Sequence, residues 1–151
     1  MATERQDPYG AFNFSVLITP ESGDRIEASF SDVSGIGTEI QYSEYRDGDD
    51  PINGVRKIPN TFKATDVTLK RGLVGGLQLW NWVNSTRDGN PRSRATVTIQ
   101  LLAEDRSGPV STWILEGARP SKWTGPTLAA KGGGDVAMEE LTLVCENIRY
   151  E

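Results

Sequence analysis

Between Arg94 and Glu104 the chain alternates with a period of two. Ala95, Val97, Ile99, Leu101 and Ala103 take one parity, and Thr96, Thr98, Gln100 and Glu104 take the other, with Leu102 the one exception. Successive side chains of a strand point to opposite faces, so such a segment has one face for a core and one for water or another subunit. The same residues wound into a helix would spread their apolar groups around the whole circumference.

The pattern recurs along the chain. Phe12, Phe14, Val16 and Ile18 alternate with Asn13, Ser15, Leu17 and Thr19 in a predicted first strand that Pro20 ends. Glu21-Ser22-Gly23-Asp24 supplies turn chemistry, and Ile26, Ala28 and Phe30 alternate in a second strand. After Ser34-Gly35-Ile36-Gly37, a third strand runs from Thr38 to Tyr45. Residues 46–60 read as a long polar loop, and a fourth strand covers Thr61 to Arg71. Leu77, Leu79, Trp80 and Val83 then shift the period to about 3.6, which predicts one helix over Gly76 to Thr86. Strands five, six and seven follow at Arg94–Glu104, Val110–Ala118 and Val136–Ile148. Residues 119–135 between the last two read as a loop. Seven strands and one short helix in 151 residues predict a mainly β, antiparallel sandwich or barrel-like domain. The whole of 1–151 reads as one domain, with residues 1–11 as an N-terminal arm.

Composition narrows the chemistry. The chain has no histidine and one cysteine, Cys145, so histidine-based triads, histidine metal sites and an internal disulfide are excluded. Sixteen Lys and Arg against 21 Asp and Glu give a formal charge of −5, a poor basis for gripping nucleic acid as a monomer. The start, Met1-Ala2-Thr3-Glu4-Arg5, lacks the basic and apolar regions of a signal peptide, and no apolar run approaches the ~18 residues of a membrane span. Cytoplasmic synthesis without a membrane anchor is the expectation.

The short motifs have structural readings. Gly35-Ile36-Gly37 lacks the third glycine and following helix of a dinucleotide fingerprint, and Gly132-Gly133-Gly134 lacks the Lys-Ser/Thr of a phosphate loop. Asp47, Asp49 and Asp50 are spaced somewhat like a calcium loop, but Ile58 stands where its twelfth-position glutamate belongs. Cys145, within an apolar strand and with no histidine to activate it, reads as core filler. No cofactor or metal site is expected, and no enzyme. Trp80 and Trp82 lie two apart on the predicted helix, so they cannot both face one core.

A series of segments then sets the chain apart. Asp7-Pro8-Tyr9 opens it, followed by Phe14-Ser15-Val16, Phe30-Ser31-Asp32-Val33-Ser34-Gly35-Ile36, Tyr45-Arg46-Asp47-Gly48 and Lys57-Ile58-Pro59. Val67-Thr68-Leu69-Lys70-Arg71-Gly72, Leu79-Trp80-Asn81-Trp82, Ala118-Arg119-Pro120-Ser121-Lys122-Trp123 and Asp135-Val136-Ala137-Met138-Glu139-Glu140-Leu141 complete the order. In this order they resemble the inner tube (tail tube) proteins of contractile injection systems, a group spanning contractile phage tails, phage-tail-like bacteriocins and extracellular injection systems. The chain departs from that pattern at Asn60, where a glycine is frequent, and over Asp49-Asp50-Pro51-Ile52-Asn53.

The resemblance implies two packed antiparallel sheets with a flanking helix, closed into six-fold rings around a lumen. It implies stacking of rings into a tube inside a sheath, with baseplate or spike and terminator proteins at the ends and an effector or DNA as cargo. On that picture Thr96, Thr98 and Gln100, with Glu27 and Ser29, face the lumen. Tyr9, Tyr45, Arg46, Asp47, Asp49, Asp50 and Lys57, on the arm and the 46–60 loop, contact the next ring. Trp80, Trp82 and Trp123 are the helix and interface aromatics. Six copies would carry a formal charge of about −30 per layer. The rival readings are a tube-initiator or baseplate ring protein of the same fold, a secretion-system tube relative without a sheath, a monomeric β-barrel ligand-binding module, and a hydrolase with paired carboxylates.

Overall fold

The structure, a computed structural model, describes residues 7–49, 51, 54–73, 76–132 and 136–151. Among these residues there are ten strands and one helix: β1 (Phe14–Pro20), β2 (Ile26–Ala28), β3 (Asp32–Ser34), β4 (Thr38–Tyr45), β5 (Arg56–Ala64), β6 (Val67–Gly72), α1 (Gln78–Arg87), β7 (Ala95–Leu102), β8 (Pro109–Thr124), β9 (Met138–Val144) and β10 (Asn147–Tyr150). The fold is mainly β, as expected, but three features raise the strand count from seven. The short β3 pairs with β6. The expected fourth strand is divided at Thr65–Asp66 into the end of β5 and β6. The expected seventh is divided at Cys145–Glu146 into β9 and β10.

The main sheet has the order β2-β1-β7-β8-β9-β6-β3, with β10 also on β8, and every pairing is antiparallel. The 16-residue β8 belongs to both layers. Its first part pairs with β7 and β10, and its second part, from Arg119, pairs with β9. The sheet therefore turns over along a single strand. Gly117 sits at this turn with φ +64, a backbone angle that calls for glycine, while the nearest obstacle to a Cβ, the Glu146 carboxyl carbon at 2.7 Å, is the movable end of an exposed side chain. Pro120 has no N–H to donate, yet it is held inside β8 because the register against β9 shifts between Pro120 and Lys122. This is why the segment after Ala118, expected as a loop, continues as strand.

Inward residues of the two layers meet in one core. Val16, Ile18, Ile26, Val97, Ile99 and Leu115 come from one layer, Val67, Leu69, Leu141 and Leu143 from the other. Each such side chain contributes roughly 1.5–3 kcal/mol by leaving water. The helix adds Leu79 and Trp82 to the same cluster. Trp82 is the inward member of the tryptophan pair, and its indole N–H donates to the Ser93 carbonyl at 2.7 Å. Trp80 turns outward and meets Trp123 edge to face, with ring centroids 5.0 Å apart.

One pair of charges lies inside. Arg71 and Glu139 are cross-strand neighbours on β6 and β9, in the inward rows that continue from Leu69 and Leu141. Both are buried; Arg71 donates to Glu139, which also accepts from the Trp123 indole at 3.2 Å. The guanidinium lies 6.0 Å from the Phe30 ring centroid.

Candidate functional site

Strands β4 and β5 stand apart from the main sheet as a two-stranded hairpin. Gly35, at φ +86, starts the excursion, and the Thr65 hydroxyl donates back to the Gly35 and Gly37 carbonyls at 2.6 and 3.0 Å where the chain returns. The register pairs Thr38 with Ala64, Ile40 with Phe62, Tyr42 with Pro59 and Glu44 with Lys57 on one face. Glu39 with Lys63, Ser43 with Ile58 and Tyr45 with Arg56 share the other. A bulge in β5 around Asn60–Thr61 keeps Pro59 on the Ile40 face, and the Asn60 amide donates to Ser43 Oγ at 3.2 Å.

The first face carries a contiguous apolar stripe, yet Ile40, Tyr42 and Phe62 are 50%, 54% and 60% exposed. Nearly every residue of the hairpin is exposed. An isolated two-stranded hairpin is marginal in water, and an apolar stripe left open on one marks a surface that another chain covers. The hairpin also corrects the expected loop. Strand β5 begins at Arg56, so Lys57 is a strand residue opposite Glu44 rather than a loop residue. At the tip, Tyr45 donates to Asp47, and this bond, with a smaller contribution from desolvation, raises the phenol above its ordinary pKa. Arg46 and Asp49 are exposed beside it, and Asp50 lies outside the described residues. Tyr9 is half-buried in the segment before β1, where the neighbouring Gly10 N–H donates to Glu104 at 3.4 Å. The tip residues are thus together, and Tyr9 belongs to a separate segment of the chain.

The expected polar face is a continuous surface. Thr96, Thr98 and Gln100 point away from the core, between buried Ala95, Val97 and Ile99. Across the strands the rows run Glu27–Leu17–Thr98–Ile114–Arg149 and Ser15–Gln100–Thr112. Arg149 pairs with Glu116 and, at 3.2 Å, with Glu151; Glu27 pairs with Arg25 at 2.9 Å. Ser29 lies exposed just past the end of β2. The face is largely polar and its charges are locally matched, with Leu17 and Ile114 as half-buried interruptions.

Other groups offer little chemistry. Burial, and then the nearby Asp66 charge, push the Cys145 thiol above its ordinary pKa, away from nucleophilic form. Among the described residues no three acidic or thiol groups cluster as metal ligands, and no described helix is long and apolar enough to cross a membrane.

Two signals were missed in the sequence. The apolar stripe of Ile40, Tyr42 and Phe62 was readable as alternation, but nothing local told that it would stay uncovered. Arg71 and Glu139 lie in two segments that read as separate strands, and no local pattern pairs residues so far apart.

The fold is a mainly β domain with a two-stranded hairpin set apart from the main sheet. The model of the T4-like virus tail tube protein gp19 family matches residues 10–149, and the chain belongs to that family. Among solved structures it is similar to a chain of the PVC sheath–tube complex of an extracellular contractile injection system in the extended state. That match has 28% identity, TM-score 0.80, and covers 95% of this chain and 91% of that one. A chain of the PVC sheath/tube terminator in the extended state matches at 27% identity and TM-score 0.81, covering 97% of this chain and 98% of that one. A chain of the anti-feeding prophage baseplate shares the fold at 24% identity and TM-score 0.84, with 97% of each chain covered. No curated protein matches the chain. The protein is thus a structural component of the tail tube and contractile injection system type, and its family and these neighbours are structural proteins.

Proposed function

We propose that the chain is the repeating inner-tube subunit: six copies close into a ring, rings stack into a tube with a central lumen, and a contracting sheath drives the tube through a target envelope with cargo inside. The observation that carries this reading is the β4–β5 hairpin. Its stripe of Ile40, Tyr42, Pro59 and Phe62 has no cover among the described residues of the subunit, and a neighbouring copy supplies one. The contact is heterologous, because a hairpin docks on a different surface of the next copy, and repetition of such a contact generates rings or filaments. Closing the ring also removes the unpaired edges that would otherwise invite aggregation. The hairpin tip, with Tyr45, Arg46, Asp47 and Asp49, together with Asp50, Lys57 and the Tyr9 segment, contacts the next ring. Thr96, Thr98 and Gln100, with Glu27 and Ser29, line the lumen, where hydroxyls and matched charges give cargo no sticky patch.

Negative-stain micrographs of the purified chain test the reading. Rings and tubes are expected from the wild type, and Ile40→Lys/Phe62→Lys is expected to stay a folded monomer on sizing. A wild-type chain that remains monomeric at high concentration overturns it. A density map of the assembled particle with Thr98 and Gln100 under protein rather than in a channel overturns the lumen assignment alone.

A further inference from the structure

The buried Glu139 carboxylate divides its two oxygens between different neighbours. Arg71 Nε on β6 donates to Oε1, and the Trp123 indole on β8 donates to Oε2 at 3.2 Å. The register makes both contacts possible. Glu139 stands opposite Arg71, while Trp123 stands opposite Leu141, two residues further along β9 and on the same face. Trp123 is thus a diagonal neighbour of Glu139, within reach of a long side chain. An ionised carboxylate only accepts, so a guanidinium and an indole N–H suit its two oxygens, and a bond to a charged acceptor is stronger than one between neutral groups.

Packing by itself does not choose the angle of the Trp123 ring. The last torsion of an indole is broad and roughly two-fold. The ring lies against Gly125, where an added Cβ would come within 3.2 Å of Trp123 Cη2. It also borders an open cavity of about 320 Å³, lined by Trp80, Val83, Arg87 and Pro120 among others, which leaves room for the ring to turn. Yet the ring meets Trp80 edge to face, with 5.0 Å between centroids and 64° between planes, and this pair joins α1 to the second part of β8. Turning the indole over would aim its N–H away from Glu139 and change the edge offered to Trp80.

We infer that Glu139 is the positioning residue of this contact: the carboxylate that neutralises Arg71 also fixes the Trp123 ring edge-on to Trp80, and so sets how the outer side of α1 sits on β8. Arg71 in turn lies 6.0 Å from the ring centroid of Phe30, between β2 and β3. One line of contacts therefore runs from the β2–β3 segment to the helix, through Phe30, Arg71, Glu139, Trp123 and Trp80. The pose of the two outer aromatics is decided inside the domain. This positioning belongs to the single subunit and is independent of the inner-tube reading.

The test uses the purified full chain. Two indoles in edge contact give an exciton couplet in circular dichroism, and its disappearance in Trp80→Phe assigns it to this pair. Glu139→Leu/Arg71→Met removes charge and acceptor together and puts apolar side chains in place of the buried pair, an exchange that buried ion pairs commonly tolerate. Glu139→Gln/Arg71→Met removes the same charges but leaves a carboxamide oxygen for the indole. Both are expected to unfold cooperatively, with the couplet lost from the first and retained in the second. A couplet that survives in both shows that packing alone sets the contact, and one lost from both shows that the acceptor does not; either result overturns the assignment. In the wild-type chain, the Trp123 indole N–H, identified by the loss of its resonance in Trp123→Phe, is expected to exchange with deuterium roughly tenfold or more slowly than that of Trp80, which has no acceptor among the described residues. Equal exchange of the two overturns the assignment even if neither double variant folds.

Discussion

Strands β4 and β7 are both eight residues long and both alternate apolar with polar side chains, but they end in opposite surroundings. In β7, Val97 and Ile99 are buried between two layers, flanked by β1 on one edge and β8 on the other. In β4, every residue is exposed, and among the described residues its one strand partner is β5. Alternation tells which residues share a face. It does not tell whether the covering layer belongs to the same chain. The difference between the strands is therefore a division of labour: inward rows of the main sheet hold the subunit together, and the hairpin stripe is left open, to be covered by a neighbouring copy on the proposed reading.

That division orders the expected effects. The largest falls on the buried charges at the end of the β6 and β9 rows. Glu139→Ala leaves the Arg71 guanidinium buried without its carboxylate, and about 3–5 kcal/mol of subunit stability is expected to vanish in denaturant unfolding. A loss under about 1 kcal/mol would mean that water reaches Arg71 and that the inward rows are less closed than described. Ile99→Ala comes next, at about 2–5 kcal/mol by the same measurement. Phe62→Ala, the hairpin counterpart, is expected to shift subunit unfolding by less than about 0.5 kcal/mol while abolishing assembly on micrographs. A large stability loss from Phe62→Ala would break the comparison, because the hairpin would then be part of the subunit's own core.

The smallest effect probes whether the hairpin tip holds its geometry in the isolated subunit. The bond to Asp47 raises the Tyr45 pKa, so the folded value exceeds the unfolded one. The associated stabilisation is complete below the unfolded tyrosine pKa and is lost as pH rises through the folded one. In an ultraviolet difference titration, Asp47→Asn is expected to move the ionisation of one tyrosine to lower pH. An identical titration curve would show that the tip samples many conformations before assembly.

Much of the fold could be read from local pattern, and the misses share a cause. The β1 and β7 strands, the β4 strand and the helix all announced themselves by period, because each buries or presents one face over several residues. The helix also had its tryptophans two apart, which required Trp80 and Trp82 to point differently; the packing of the core chose Trp82. The strand β3 is only three residues long, and its place is set by β6, some 36 positions on, from Asp32↔Lys70 to Ser34↔Thr68. The passage of β8 through Pro120 depends on a register shift against β9, which no local propensity encodes. The loop over 46–60 looked polar because Arg56 and Lys57 are charged, but cross-strand pairing with Tyr45 and Glu44 recruits them into β5. Of the candidate site, the outward face of β7 was legible from its own alternation. The Trp80–Trp123 pair was not, since it joins α1 to the second part of β8.

Local rules thus decided the β class, the face to which each strand residue belongs and the exclusion of histidine chemistry, because period, turn residues and composition act within a few positions of the chain. Tertiary structure alone decided where the sheet turns over, that Arg71 meets Glu139, that Trp80 meets Trp123, and that the stripe of Ile40, Tyr42 and Phe62 remains uncovered among the described residues. Each of these depends on contacts between distant segments, and burial is a property of what arrives on a face rather than of the residues that form it.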